Sequence, residues 1–291
     1  MKPARRRVLI AAAIFAALAL GALLRLWNLE AQVMSDDELH AVRTALGNPI
    51  PRILVTYQRV DNTIPLTALY RFFLDRGIRL TEMAVRLPAL LTGLAILVLA
   101  PLWIARRLGW PTAIVFAALL AISPGLVFYS RIARSYAPIV LLGFGALVAF
   151  EAWWRKPEDW RPGAAYVLLA ALAAWFHLGA ATFVVSPFLF AAGDLLFRWE
   201  RRRLAGLLAL GTATALAFLA FLFPARESLA ALVAEKRGEL HLSWRLIGEV
   251  LQLQAGARWA WVAVLFWILA IAGLVRLYRL DRRFAVFTAT A

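Results

Sequence analysis

Residues 8–24 read VLIAAAIFAALALGALL, 17 positions without a charge, and they follow the basic start MKPARRR. A run of that length and composition suits a helix crossing a bilayer. Lys2, Arg5, Arg6 and Arg7 assign its N-terminus to the cytoplasm by the positive-inside rule. The apolar stretch is too long for the core of a cleavable leader, so a retained first span is expected. Arg25 and Trp27 follow where the chain leaves the bilayer, positions that suit a snorkelling cation and an interfacial ring.

The rest of the chain agrees with that start. It has 291 residues, 63% of them hydrophobic, with 12 Trp, 18 Phe and a mean hydropathy of +0.74. A soluble domain of this size could not cover so much apolar surface. The absence of Cys rules out disulfides, cysteine metal sites and a thiol nucleophile. A net charge of +15 would suit nucleic acid, but in a membrane protein clustered Arg reports topology and anionic lipid. Nucleic acid is therefore not an expected partner, and membrane lipid is.

Working outward, spans are expected at about 87–105, 108–130 and 135–154, separated by basic turns. Residues 162–193 carry no charge over 32 positions, too many for one span and too few for two ordinary ones. Basic residues flank both ends, from Arg155 to Arg161 and from Arg198 to Arg203, so the number of crossings must be even. Two short helices hinged near His177-Leu178-Gly179 satisfy that. Spans at about 204–225 and 259–275 complete an all-α integral membrane bundle of about eight spans, read as a single membrane domain over 1–291. Cytoplasmic segments then hold 17 of the 32 Lys and Arg in roughly 40 residues, and external segments 15 in roughly 95, a bias in the expected direction. The apolar end at Ala291 is compatible with a piece of a longer protein.

Residues 28–82 form the first external loop, with interfacial amphipathic helices expected in it. Ser35 followed by Glu38 matches a capping box, and Leu39, Val42 and Leu46 continue one face. A second piece runs from about Thr63 to Asp75, with Gly77 as its stop. External residues 226–256 carry two more amphipathic stretches.

Asp36-Asp37-Glu38 is the one place where three acids adjoin. Its structural explanation is good, because acids favour a helix's first turn. Its chemical explanation is location: the cluster lies just outside the membrane, where a lipid-borne head group would be presented. Neighbouring helix residues point about 100° apart, so Asp37 and Glu38 take different parts. Arg131 and Arg134, in the short external turn Phe128–Tyr136, run against the positive-inside bias and would share a face if the turn is helical. They suit a phosphate at the membrane surface. His177, at the outer end of the hairpin, is either a turn residue or a ligand. No metal spacing is present, which leaves a divalent cation on acids gathered by the fold as the one cofactor to consider.

Taken in order, Asp37-Glu38, Asn62-Thr63-Ile64-Pro65-Leu66, Arg86-Leu87-Pro88-Ala89, Ser123-Pro124 and Tyr129–Tyr136 resemble the superfamily of dolichyl-phosphate-mannose protein mannosyltransferases and aminoarabinose transferases. These are C-type glycosyltransferases that use polyprenyl-phosphate sugars. The resemblance covers about residues 8–200 and implies that Asp37 and Glu38 are catalytic. It aligns Ala133, Arg134 and Tyr136 with the motif after the third span, where Arg131 and Ile132 replace a Gln-Glu pair. Arg131, Arg134, Tyr136, Asn62 and His177 form the expected substrate-binding set. The implied reaction is transfer of a sugar from a polyprenyl-phosphate donor to a protein, lipid or glycan acceptor, on the external face of the cytoplasmic membrane. Asp37 would be the base and Glu38 would position the acceptor, giving inversion at the anomeric carbon. A transporter or lipid flippase and a non-catalytic scaffold are the alternatives from other classes. The scarcity of charges within the spans weighs against transport.

Overall fold

The computed structural model describes residues 3–57, 63–198, 200–236 and 243–290. Every regular element among them is helical. Six stretches among the described residues are long and apolar enough to cross a membrane: Arg7–Leu26, Glu82–Leu108, Tyr136–Arg155, Leu178–Leu195, Arg201–Glu235 and Ala260–Leu280. Phe15, Leu119, Leu216 and Leu269 are each more than half exposed, as side chains facing hydrocarbon should be. The backbone separates two compact units, Met1–Leu141 and Leu142–Ala291.

In the first unit, helix α1 (Pro3–Leu26) and helix α5 (Glu82–Leu108) both pack on α6 (Trp110–Ile122). Small residues allow the close approach. On α6, Ala113, Ala117 and Ala121 recur at intervals of four and are fully buried. A Cβ on Gly21 of α1 would come within 2.7 Å of the Leu97 side chain and 3.1 Å of the Ala121 Cα. Gly109, at φ +86°, turns α5 directly into α6, a backbone angle that glycine adopts without steric cost.

The third expected span is broken. Helix α6 has 13 residues, and Ser123 at ψ 114° leaves the helical region before Pro124 opens the short α7 (Pro124–Tyr129). Proline restricts the residue before it and lacks the N–H that would continue the ladder. Arg25 also departs from expectation. It does not snorkel to the surface but is fully buried. Its guanidinium donates to the carbonyls of Gly21, Leu120 and Ala121, two of them at the C-terminal end of α6.

The first loop contains α2 (Asp36–Gly47), α3 (Ile50–Leu54) and α4 (Ile64–Asp75). Ala41, Ala45, Leu66 and Tyr70 are all buried, and α2 packs on α4. The Tyr70 hydroxyl donates to Val85 O at 2.6 Å, tying α4 to α5. Helix α4 stops as expected: Gly77 is left-handed at φ +72°, Ile78 N–H donates to Phe73 O and Gly77 N–H to Leu74 O, the paired bonds of a Schellman ending.

Helix α8 (Tyr136–Arg155) leads into the second unit, where α9 (Trp160–Phe176) packs on α11 (Arg201–Leu222). The hinge falls where the uncharged stretch placed it: α9 has 17 residues, a 3₁₀ turn covers Leu178–Ala180, and α10 (Ala181–Arg198) follows. Phe150 is fully buried and stacks at 6.1 Å on Trp154 and 6.3 Å on Phe287, with the edge of Tyr166 at 5.3 Å. The two stretches expected to be amphipathic after α11 form helices α12 (Arg226–Lys236) and α13 (Trp244–Gln254), the latter capped by Ser243. Helix α13 segregates its apolar residues to one face, whereas α12 does not. Helix α14 (Ala260–Leu280) and the nine-residue α15 (Arg282–Thr290) end the described chain.

Candidate functional site

The three adjoining acids lie in the first turn of α2, and the fold sends each to a different partner. Asp36 turns to its own helix, with Arg43 Nη1 at 3.3 Å and His40 Nε2 at 3.8 Å. It is largely exposed, and such a pair contributes little to stability.

Glu38 is fully buried. Its Oε2 accepts from the Ser35 N–H at 2.9 Å and the Ser35 hydroxyl at 3.3 Å, the return arm of the capping box. The same carboxylate receives Arg86 in a two-pronged ion pair, Nε to Oε1 at 2.9 Å and Nη2 to Oε2 at 3.0 Å. Ala133 N–H adds a third direction at 2.8 Å. Burial alone would raise this carboxyl. The hydrogen bonds from Arg86, Ser35 and Ala133, with the Arg86 charge, outweigh it and hold the group below the ordinary carboxylate range. The acceptor-positioning part expected of Glu38 does not fit a side chain with no exposed surface. Its carboxylate instead joins three segments: the start of α2, α5 through Arg86, and the turn after α7 through Ala133.

Arg86 is the partner the acids did not reveal. It too is fully buried, and its remaining N–H groups gather the strand between α1 and α2: Nη1 donates to Leu29 O at 2.9 Å and Gln32 O at 2.7 Å, Nη2 to Val33 O at 3.3 Å. Those carbonyls have no secondary-structure partner, so the guanidinium supplies what helix or sheet would. In the sequence it is a lone cation immediately before a long apolar run, within the stretch Arg86-Leu87-Pro88-Ala89 that carries part of the resemblance, and neither signal pairs it with Glu38.

Asp37 is exposed, and its carboxylate meets no hydrogen-bond or ion-pair partner among the described residues. Its backbone carbonyl accepts from Arg134 Nη1 at 3.1 Å. Arg134 is half-buried, its Cζ 6.0 Å from the Tyr136 ring centroid, and Tyr136 packs on Tyr129 at 4.5 Å. Nε and Nη2 of Arg134 have no partner among the described residues. One carboxylate without a partner among the described residues and one arginine with spare donors thus meet at the same edge of the first unit.

The turn carrying Arg131 and Arg134 is not helical, so their spacing of three does not make them neighbours on a face. Arg131 points back to α1: Nη1 donates to Leu24 O at 2.8 Å, while Nε and Nη2 each lie 3.4 Å from Gln32 Oε1. Two arginines were expected on one phosphate; only Arg134 stands beside Asp37. Close packing holds the turn in place. Ser130 is buried against Gly93 of α5, where a Cβ would come within 2.5 Å of the Ser130 Cβ.

Asn62 lies outside the described residues. His177 belongs to the second unit, where its Nδ1 accepts from Gly179 N–H at 3.0 Å and starts the 3₁₀ turn, so its turn role is directly visible. Among the described residues no three His, Cys, Asp or Glu side chains gather as metal ligands. The dispersal of Asp36 and Glu38 explains why α2 offers a cation no cluster. No protein-family model, curated protein or solved structure matches the chain.

Proposed function

We propose that the protein is a membrane glycosyltransferase that moves a sugar from a polyprenyl-phosphate donor to an acceptor at the external face of the cytoplasmic membrane. The observation that carries this reading is the exposed Asp37 carboxylate, which has no partner among the described residues and whose backbone carbonyl accepts from Arg134. The order of motifs that resembles the polyprenyl-phosphate-dependent transferases adds to it.

In this reaction the acceptor's hydroxyl or amine loses its proton to Asp37 while its lone pair forms a bond to the anomeric carbon. The bond from that carbon to the donor's phosphate oxygen breaks, and its electron pair stays on the phosphate. The free donors of Arg134 stabilise the charge growing there. One base opposite one leaving group gives inversion. Glu38 and Arg86 take no part in bond making; they fix the distance between α2 and the Arg134 turn. Arg131 steadies the same turn from the α1 side.

Topologically, the reading adds α6 with α7, and the 17-residue α9, to the six longer stretches, giving eight crossings with a cytoplasmic N-terminus. The helices α2 to α4 then sit at the external interface.

The experiment is reconstitution of the chain in proteoliposomes with a polyprenyl-phosphate donor labelled in the sugar and a mixture of acceptor lipids and peptides. The expected result is label in a new covalent product. Label that moves across the membrane without a new bond would replace the transferase with a transporter, the reading that the broken α9–α10 hairpin favours.

A further inference from the structure

The second unit contains a cavity of about 500 Å³ between α10 and α15, unrelated to the Asp37 site. Leu189 and Phe190 of α10 and Val286 of α15 form an apolar wall, and Arg282, Arg283 and Asp194 form the rim. The buried side of α15 is anchored: Phe284, Ala285 and Phe287 are all covered, and Phe287 meets Phe190 edge-on at 5.5 Å. That anchoring fixes the helix from which Arg282 and Arg283 line the cavity. Gly193 keeps space open, since a Cβ there would meet nothing within 4 Å.

Two guanidinium groups and one carboxylate line this opening. Asp194 Oδ2 is 3.8 Å from Arg283 Nη2, a pair too long for a hydrogen bond. Among the described residues Arg282 meets the Tyr278 ring, its Cζ 5.3 Å from the centroid. Arg276 and Arg279 lie on the adjoining end of α14, and Asp281 is engaged as the cap of α15 through Phe284 N–H at 2.9 Å. A basic rim above an apolar slot matches an amphiphile. A free anion would make no use of the apolar wall of Leu189, Phe190 and Val286, and a neutral lipid would leave the arginines unmatched.

We propose that this cavity binds one anionic phospholipid, its phosphate on Arg282 and Arg283 and an acyl chain along the wall of α10 and Val286. Basic pockets between membrane helices recognise anionic head groups in this way. The site is independent of the transferase reading.

The test uses the full chain in detergent, with native mass spectrometry to follow retention of phosphatidylglycerol and phosphatidylcholine. Wild type should retain phosphatidylglycerol over phosphatidylcholine. Each arginine contributes about a five-fold effect near a lipid head group, so Arg282→Ala/Arg283→Ala should lower phosphatidylglycerol retention by about 25-fold. Arg276→Ala/Arg279→Ala removes the same charge outside the cavity and should change retention far less. Val286→Trp, which fills the slot and keeps every charge, should lower it as well. Equal losses in the two arginine pairs would mean diffuse attraction and overturn the site. So would wild-type retention in Val286→Trp, or displacement of the lipid by millimolar inorganic phosphate.

Discussion

Replacing Arg86 by Ala removes the centre of the buried network that joins α2, α5 and the turn after α7. The guanidinium makes five hydrogen bonds, two to the Glu38 carboxylate and three to the carbonyls of Leu29, Gln32 and Val33. Both charged partners are fully buried. Removing one partner of such a pair leaves an uncompensated charge, at a cost of about 3–5 kcal/mol. The double variant Glu38→Leu/Arg86→Met removes both charges and should recover part of the loss. It cannot recover all, because the three carbonyls and the Ser35 and Ala133 amides lose their partners. The coupling in the double-mutant cycle should be on the order of 1–3 kcal/mol. Acid adds a second signature. Glu38 is held below its ordinary range in the folded chain, so protons bind the unfolded chain first. Its contribution is complete above the ordinary glutamate range and is lost as pH falls through the lower folded value, and Glu38→Gln should lack that acid limb. The assay is equilibrium unfolding in mixed micelles at several pH values. An Arg86→Ala chain within about 1 kcal/mol of wild type would refute the reasoning.

Three further substitutions test the frame around that pair. Gly93→Ala drives a Cβ into Ser130, a short side chain with little room to yield, and should cost on the order of 1–3 kcal/mol; Gly47→Ala, with nothing within 4 Å, should leave unfolding unchanged. Arg25→Met strips the buried carbonyls of Leu120 and Ala121 of their donor and should destabilise by about 1–3 kcal/mol, whereas an arginine that merely snorkelled would be replaceable without loss. Arg134→Ala should lower turnover with little change in unfolding, because it makes only one hydrogen bond among the described residues.

The apolar runs made the helical membrane architecture legible, and Gly77 and the His177 hinge announced where helices stop. The capping box announced Glu38's place at the start of α2. Its partner Arg86 lies 48 residues away, and a local pattern carries no information about such a contact. Arg131 and Arg134 misled because a spacing of three means a shared face only within a helix, and α7 ends at Tyr129, before either of them. Arg25 misled in the same way: a cation at a span's end snorkels by default, unless a neighbouring helix terminus offers carbonyls in need of a donor. Helix capping accounted for Glu38 and in part for Asp36, and the family resemblance singled out Asp37. No local pattern placed Arg134 beside it.

The central claim is that Asp37, of the three acids, is the base. It is tested most directly by turnover of Asp37→Asn beside Asp36→Asn, in proteoliposomes with a labelled polyprenyl-phosphate sugar and with both variants shown to unfold like wild type. Loss of a positioned general base costs about 10²–10⁴-fold in rate, and that loss is expected for Asp37→Asn alone. Wild-type turnover in Asp37→Asn, or an equal loss in Asp36→Asn, would contradict the account.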